Sequence, residues 1–306
     1  MLPRSDFIAY VNLKRLIEEA APRVFANNPS KLAEFNAHVD KLKSQTGIDA
    51  RAFESVAVGM LYQTPSPGIT TAETVVIARG TFNAGAILAA GRLAVKGKYQ
   101  EQKHDNATIY IFRINDHIYV PGVVNMRVNE LAVTSLDTNT LVIGELAAVR
   151  STLDANRARG NVNADLISLA TRAPNALMGF SANVPPYLTR GLNVNNEEIG
   201  KLIGSIRQAY GAVGTTQNGF DLLAIARTEK PDQAQTIGDT ISALKQFGGV
   251  LAGQLPADTR GLAQNALDSL KIGSEGNEAS IRFELQLTDI PALIRVLQPR
   301  AAELTR

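Results

Sequence analysis

Hydrophobic and polar positions along this chain change their period several times, and the changes come in nearly the same order twice. "DFIAYV" (Asp6–Val11) is a short β-rich run. Leu13, Leu16, Ile17 and Ala20 then fall at helical spacing behind Asn12, a residue suited to capping, and Pro22 ends or kinks that helix. Leu32, Phe35, Val39 and Leu42 form a second helical stripe, with Pro29 near its start and Gly47 just past its end. Two strands follow, Phe53–Tyr62 and Glu73–Phe82, around a loop rich in Pro, Gly, Ser and Thr. Asn83 caps a small-residue helix ending near Lys96. Two hairpins come next, turning at Asp105-Asn106 and at Asp137–Asn139, and a helix from Glu145 to Asp154 closes this part.

Asn156–Asn163 is polar, contains glycine and has no period, which marks it as a linker. Beyond it the order returns. "NALMGFSANV" resembles the opening strand, and "NNEEIGKLIGSIRQAY" places Ile199, Leu202, Ile203, Ile206 and Tyr210 on one helix face behind an Asn cap. A strand pair turns at Asn218-Gly219. Pro231 starts a helix lined by Ala234, Ile237, Ile241 and Leu244 and ended by Gly248-Gly249. Another short helix, a hairpin turning at Gly276-Asn277 and the helix "DIPALIRVL" complete the chain.

Each half thus reads β-α-β-β-α-β-β-α. Consecutive elements tend to be neighbours, and hairpins give antiparallel pairs. The predicted fold class is α+β, with two related halves (residues 1–155 and 164–306) joined by residues 156–163. Each half is expected to be a mostly antiparallel sheet with helices on one face and the ferredoxin-like βαββαβ core order. Ile-Ala-Arg recurs at 77–79 and 225–227 because the third strand recurs. Two domains and one continuous sheet both satisfy this reading.

Composition narrows the function classes. Apolar content of 45% with 20% charge fits a folded globular chain rather than a disordered one. The net charge is +2, and Lys and Arg form no dense cluster, which argues against a nucleic-acid partner. With no cysteine, disulfides, thiolate metal ligands and a cysteine nucleophile are excluded. No apolar run approaches the ~20 residues that span a bilayer. "MLPRSDFIAY" lacks the apolar core of a signal peptide and fits a mature exported domain with an added Met as well as a cytosolic start.

Motifs for chemistry are sparse. His38 sits four residues after Glu34, as in an exposed helical pair. His104-Asp105 and Asp116-His117 look like two halves of a metal site. The strand between them would hold them roughly 25–30 Å apart at ~3.3 Å per residue, so two hairpin ends is the better account. Ser242 and Lys245 match Ser-x-x-Lys, but Ser242 lies mid-helix and the companion motifs come in the wrong order. No phosphate-binding glycine loop follows a strand. Asn106-Ala107-Thr108 fits a glycosylation sequon. Arg79 and Arg227, at equivalent ends of the repeated third strands, are the candidate ligand-binding residues, for an anion between the halves or for pairing with carboxylates. Tyr110, Phe112 and Tyr119 read as strand packing first and as a carbohydrate or peptide surface second.

Two segments, "SLDTNTLVIGELAAVRSTLDA" (Ser135–Ala155) and "SDFIAYVNLKRLIEEA" (Ser5–Ala20), resemble uncharacterised exported bacterial α+β proteins of unknown function. In those, a strand ending "TLVIG" precedes a helix reading roughly "AVRxxLDA". The resemblance implies an envelope location and carries over no catalytic residue. The expectation is therefore a non-catalytic binding or structural module of the bacterial envelope, without cofactor or metal, whose partner is a protein or a small molecule. Two rivals stand beside it. A hydrolase assembled from distant residues would show a perturbed carboxylate or His beside a Ser or Thr in a pocket. A carrier of an apolar ligand would need a sizeable apolar cavity between sheet and helices.

Overall fold

Asn12 and Asn28 open the first helices as their positions suggest: their side-chain oxygens accept from the backbone N–H of Arg15 and Lys31, both at 3.1 Å. The computed structural model describes residues 1–66, 69–120, 124–158, 163–187, 197–255 and 257–297, and the chain divides into two units, Met1–Ile167 and Ser168–Arg306. Residues 159–162 of the linker proposed at 156–163 lie outside the described residues, as do the Asn cap at 195–196 and the loop at 67–68.

The first unit runs β1 (Phe7–Val11), α1 (Leu13–Arg15), a π-helical turn (Leu16–Ala20), α2 (Ala21–Val24), α3 (Pro29–Thr46), β2 (Phe53–Ser66), β3 (Ile69–Gly80), α4 (Ala84–Ala94), β4 (Tyr99–His104), β5 (Ala107–Val120), β6 (Val124–Asp137), β7 (Thr140–Gly144) and α5 (Leu146–Ala158). Pro22 does not end the first helix. The wider π turn, in which the Ala21 N–H reaches Leu16 O, lets the backbone pass the proline. Gly47, at φ 73°, stops α3 in the left-handed region that favours glycine. In this unit the strands lie in the order β1-β2-β3-β7-β6-β5-β4.

Helix α6 (Ala164–Ala170) spans the division between the units. The second unit then runs β8 (Met178–Asn183), α7 (Glu197–Ser205), β9 (Ile206–Thr215), β10 (Gly219–Thr228), α8 (Pro231–Ala252), α9 (Ala257–Ser269), β11 (Lys271–Glu275), β12 (Glu278–Gln286) and α10 (Ile290–Leu297). Its strands lie in the order β8-β9-β10-β12-β11.

Several expectations change. The first half holds two strands more than the β-α-β-β-α-β-β-α order allows, because both of its hairpins are formed. The ladders are antiparallel, and within each unit the first three strands are neighbours in chain order, β1-β2-β3 in the first and β8-β9-β10 in the second. The spatial order is therefore not that of a split βαβ ferredoxin-like sheet, in which a strand separates parallel partners. Helices also do not keep to one face. Thr140, Leu141 and Val142 are all at most 1% exposed, so both sides of β7 are covered. Helix α4 packs with Leu141, while α5, bearing the buried Val149 and Leu153, lies against β3, β6 and β7 and falls to the other side. In the second unit, Ile206 and Tyr210 belong to strand β9 rather than to α7. Helix α8 runs through Gly248-Gly249, where a Cβ at Gly248 would approach the Leu267 side chain of α9 to 3.1 Å.

The ladders give a register for comparing the units. Ala78 pairs with Val56 and Leu141, and Val76 with Val58 and Ile143. In the second unit, Ala226 pairs with Ala209 and Ala279, and Ala224 with Gly211 and Ile281. Both third strands end under the same clamp. Asn139 donates from Nδ2 to Gly80 O at 3.0 Å while its backbone carbonyl accepts the Gly80 N–H, and Asn277 makes the same two bonds with Thr228, each at 2.9 Å.

Candidate functional site: an apolar hollow in the second unit

Directly paired residues share a sheet face. Ala209, Ala224, Ala226 and Ala279 therefore form one continuous floor, bounded by Ile281 and by Phe180, whose β8 partner in β9 is Gly211. A Cβ at Gly211 would meet the Phe180 ring at 2.9 Å and Leu223 O at 2.2 Å, so glycine is needed for the ring to lie on the floor.

Two helices stand over this floor. Helix α7 contributes Ile199, Leu202 and Ile203, and α8 contributes Ile237, Ile241 and Leu244 at the i, i+4, i+3 spacing of one helix face. The side chains beneath α8 are too short to fill the space. The packed cluster there consists of only Ala234, Ile237 and Ala279, with Leu202, Ile206 and Ile241 against it. A cavity of about 360 Å³ remains, walled almost wholly by carbon. Leu244 lines it yet is 55% exposed, so the hollow opens along that side, and Phe247 and Val250 continue the exposed apolar stripe on α8.

The opposite face of the same strands is polar and tightly paired. Tyr210 is fully buried, with the guanidinium carbons of Arg172 and Arg227 each 5.6 Å from its ring centroid. Its hydroxyl accepts from Arg172 Nη1. Arg227 donates from Nε and Nη2 to Glu278 Oε1 at 3.1 and 2.8 Å, and from Nη1 to Gln208 at 2.9 Å. Burial pushes the Glu278 carboxyl up, but hydrogen bonds from Arg227 and Tyr210 and the charges of both arginines leave it below its ordinary value. Burial, then Glu278, raises the Tyr210 hydroxyl.

Of the two candidate ligand-binding residues, Arg227 thus spends its guanidinium on Glu278 and Gln208. Arg79 is exposed on β3, in register with Ser55 and Thr140. The other motifs resolve as follows. Glu34 pairs its carboxylate with Lys31 at 2.7 Å, and His38 Nδ1 meets the Glu34 carbonyl instead. Ser242 Oγ donates to Gly238 O, and Lys245 Nζ to Leu270 O at 2.6 Å, so the two form no dyad. β5 runs unbroken from Ala107 to Val120, which keeps Asp116-His117 away from His104 but places that pair within the strand rather than at a hairpin end. His104 Nε2 lies 2.7 Å from Asp154 Oδ1, and with Asp105 they form a metal-sized group. Asp154 comes from α5, fifty residues on, and Asp105 is already paired with Arg157. Glu145 is raised by burial, then by Glu73, and lines neither this hollow nor the polar cavity of the first unit. Among the described residues no helix is long and apolar enough to cross a membrane.

No family model matches the chain, and no curated protein matches it. Among solved structures it is similar to TP0453, a Treponema protein. Crystal form IV is 12% identical, with 95% of this chain and 93% of that one covered, at a TM-score of 0.48. Form III is also 12% identical, with 97% and 96% covered, at a TM-score of 0.48.

Proposed function

We propose that this protein is a non-catalytic binder of an apolar small molecule, held in the second unit between α7, α8 and the alanine floor. The single observation that carries the reading is the cavity of about 360 Å³ whose wall is nearly all carbon. Its size falls within the ~300–1,000 Å³ of small-molecule sites. The hollow is also the feature that separates a carrier from the other two classes. A structural module has no use for an unfilled core, since each missing contact weakens packing. The hydrolase reading finds no support in it, since among the described residues neither His nor a carboxylate lines this hollow.

Two further readings belong to the same proposal. The shared ladder register, the paired Asn139 and Asn277 clamps and the repeated Ile-Ala-Arg support a duplicated α+β unit, with binding specialised to the second copy. The resemblance of Ser135–Ala155 and Ser5–Ala20 to exported bacterial proteins supports an envelope location.

The test is a titration with a series of n-alkanols of increasing chain length. Each added methylene that enters the hollow contributes about 0.8 kcal/mol, close to a fourfold gain in affinity, until the space is full. A rise of that slope followed by a plateau is expected. Affinity independent of chain length, or no saturable binding, would overturn the reading.

A further inference from the structure

The first unit holds a cavity of different character, about 500 Å³, where the β5–β6 ladder stops at the Tyr110–Val133 pair and α4 and α5 close around the gap. Among the described residues two arginines line it, Arg92 from α4 and Arg157 from α5, and no acidic residue does. Arg157 is engaged outside the cavity by Asp105 and by His104 O at 3.2 Å. Arg92 is not matched in this way. Its Nε is buried without a hydrogen-bond partner. Its nearest carboxylate, Glu101, is 3.9 Å from Nη1, beyond hydrogen-bond range, and its contact with the Tyr110 hydroxyl is long, at 3.4 Å. The side chain as a whole keeps 35% of its surface exposed, so the rest of the fork stays open to an anionic acceptor. The rest of the wall suits such a ligand, for Thr108, Ser135, Asn106 and Asn156 offer hydroxyl and amide groups.

From these we infer a second binding site, in the first unit, for a small hydroxyl-bearing oxyanion, with Arg92 taking the carboxylate or phosphate group and the Thr, Ser and Asn side chains the hydroxyls. The Tyr110 ring, 4.9 Å from the Arg92 guanidinium carbon, packs against the fork within cation–π range. The site is independent of the apolar hollow and shares no residue with it.

The test observes Arg92 directly, by following the arginine Nε–Hε resonances of the isotopically labelled whole protein and assigning Arg92 by its disappearance in R92K. Glucuronate, inorganic phosphate and uncharged glucose are titrated at constant ionic strength. Glucuronate should shift the Arg92 resonance saturably and glucose should not, and R92M should weaken glucuronate binding at least tenfold while keeping the wild-type melting temperature within a few degrees. Saturation by phosphate as tightly as by glucuronate would assign the site to the oxyanion alone and overturn the role of the hydroxyls. No saturable shift at Arg92 in the wild-type protein would overturn the site, whether or not R92M folds.

Discussion

Helices α4 and α8 each follow a strand that carries Ile-Ala-Arg near its end, one in each unit, and the seats beneath them are filled in opposite ways. Under α4, Phe82, Leu88, Phe112, Val133 and Leu141 close a core to which Phe53, Tyr99 and Tyr110 add their rings. Under α8 the paired positions are smaller. Val56, Val58, Val76 and Leu141 correspond to Ala209, Gly211, Ala224 and Ala279, while Ala78 and Ile143 correspond to the identical Ala226 and Ile281. The difference teaches that the ladder fixes where a cavity can be, and that two or three carbons at each of four strand positions decide whether it exists. The pairing of these strands is alike, and the side chains on them are not.

The comparison is broken most severely by emptying the filled seat. Leu141 is 1% exposed, and Leu141→Ala should cost about 2–5 kcal/mol, read as a shift in the denaturation midpoint. Ala279→Gly at the corresponding place, where space already exists, should cost no more than the ~1 kcal/mol typical of the backbone change. Next in size is the polar face behind the hollow. Arg227→Met leaves Glu278 without its main partner and should cost about 1.5–3 kcal/mol near pH 7. Because the folded-state value of Glu278 is depressed, its stabilisation is present above the unfolded value and lost as the pH falls through the folded one, so the penalty should shrink in acid. Asn139→Ala and Asn277→Ala remove corresponding clamps and should each cost about 1 kcal/mol; a large effect at only one would break the equivalence of the units. The smallest effect is at Glu145. Its raised value means that stability present in acid is lost as the pH rises through the folded-state value, so Glu145→Gln should be more stable than the parent near pH 7 and equal to it near pH 3.

Much of this architecture was legible in the sequence because the signals are local. Asn12 and Asn83 cap the helices they precede, Gly47 ends α3, and the hairpins turn at Asp105-Asn106, Asn139 and Gly276-Asn277. Ile206 and Tyr210 misled because a spacing of four satisfies a helix, whereas in β9 a register shift opposite Arg227 and Thr228 turns Ile206 toward α8 and leaves Tyr210 on the other face, and only pairing with β8 and β10 reveals it. The long ends of β2, β3 and β5 are likewise set by partners, not by propensity. The hollow had no signal of its own. Ala209, Ala224, Ala226 and Ala279 are scattered over seventy residues and become a floor only through register, and an alanine carries no chemistry to flag it. The same holds for Arg92, which stands out through an unpaired buried Nε rather than through any motif. The Asn139 and Asn277 clamps were within reach, since each sits at a turn immediately before the strand that pairs with an Ile-Ala-Arg strand.

The central claim is that missing side-chain volume in the second unit is a ligand site, and the most direct measurement transplants the first unit's residues into it. In the double variant Ala224→Val and Ala279→Leu, the floor takes the side chains found at Val76 and Leu141. n-Decanol affinity and the denaturation midpoint are measured on the variant and the parent. The account predicts at least a tenfold loss of affinity with the midpoint unchanged or raised, because the added groups enter existing space. Affinity within twofold of the parent, or a loss of stability of about 1–3 kcal/mol as in an overpacked core, would contradict it.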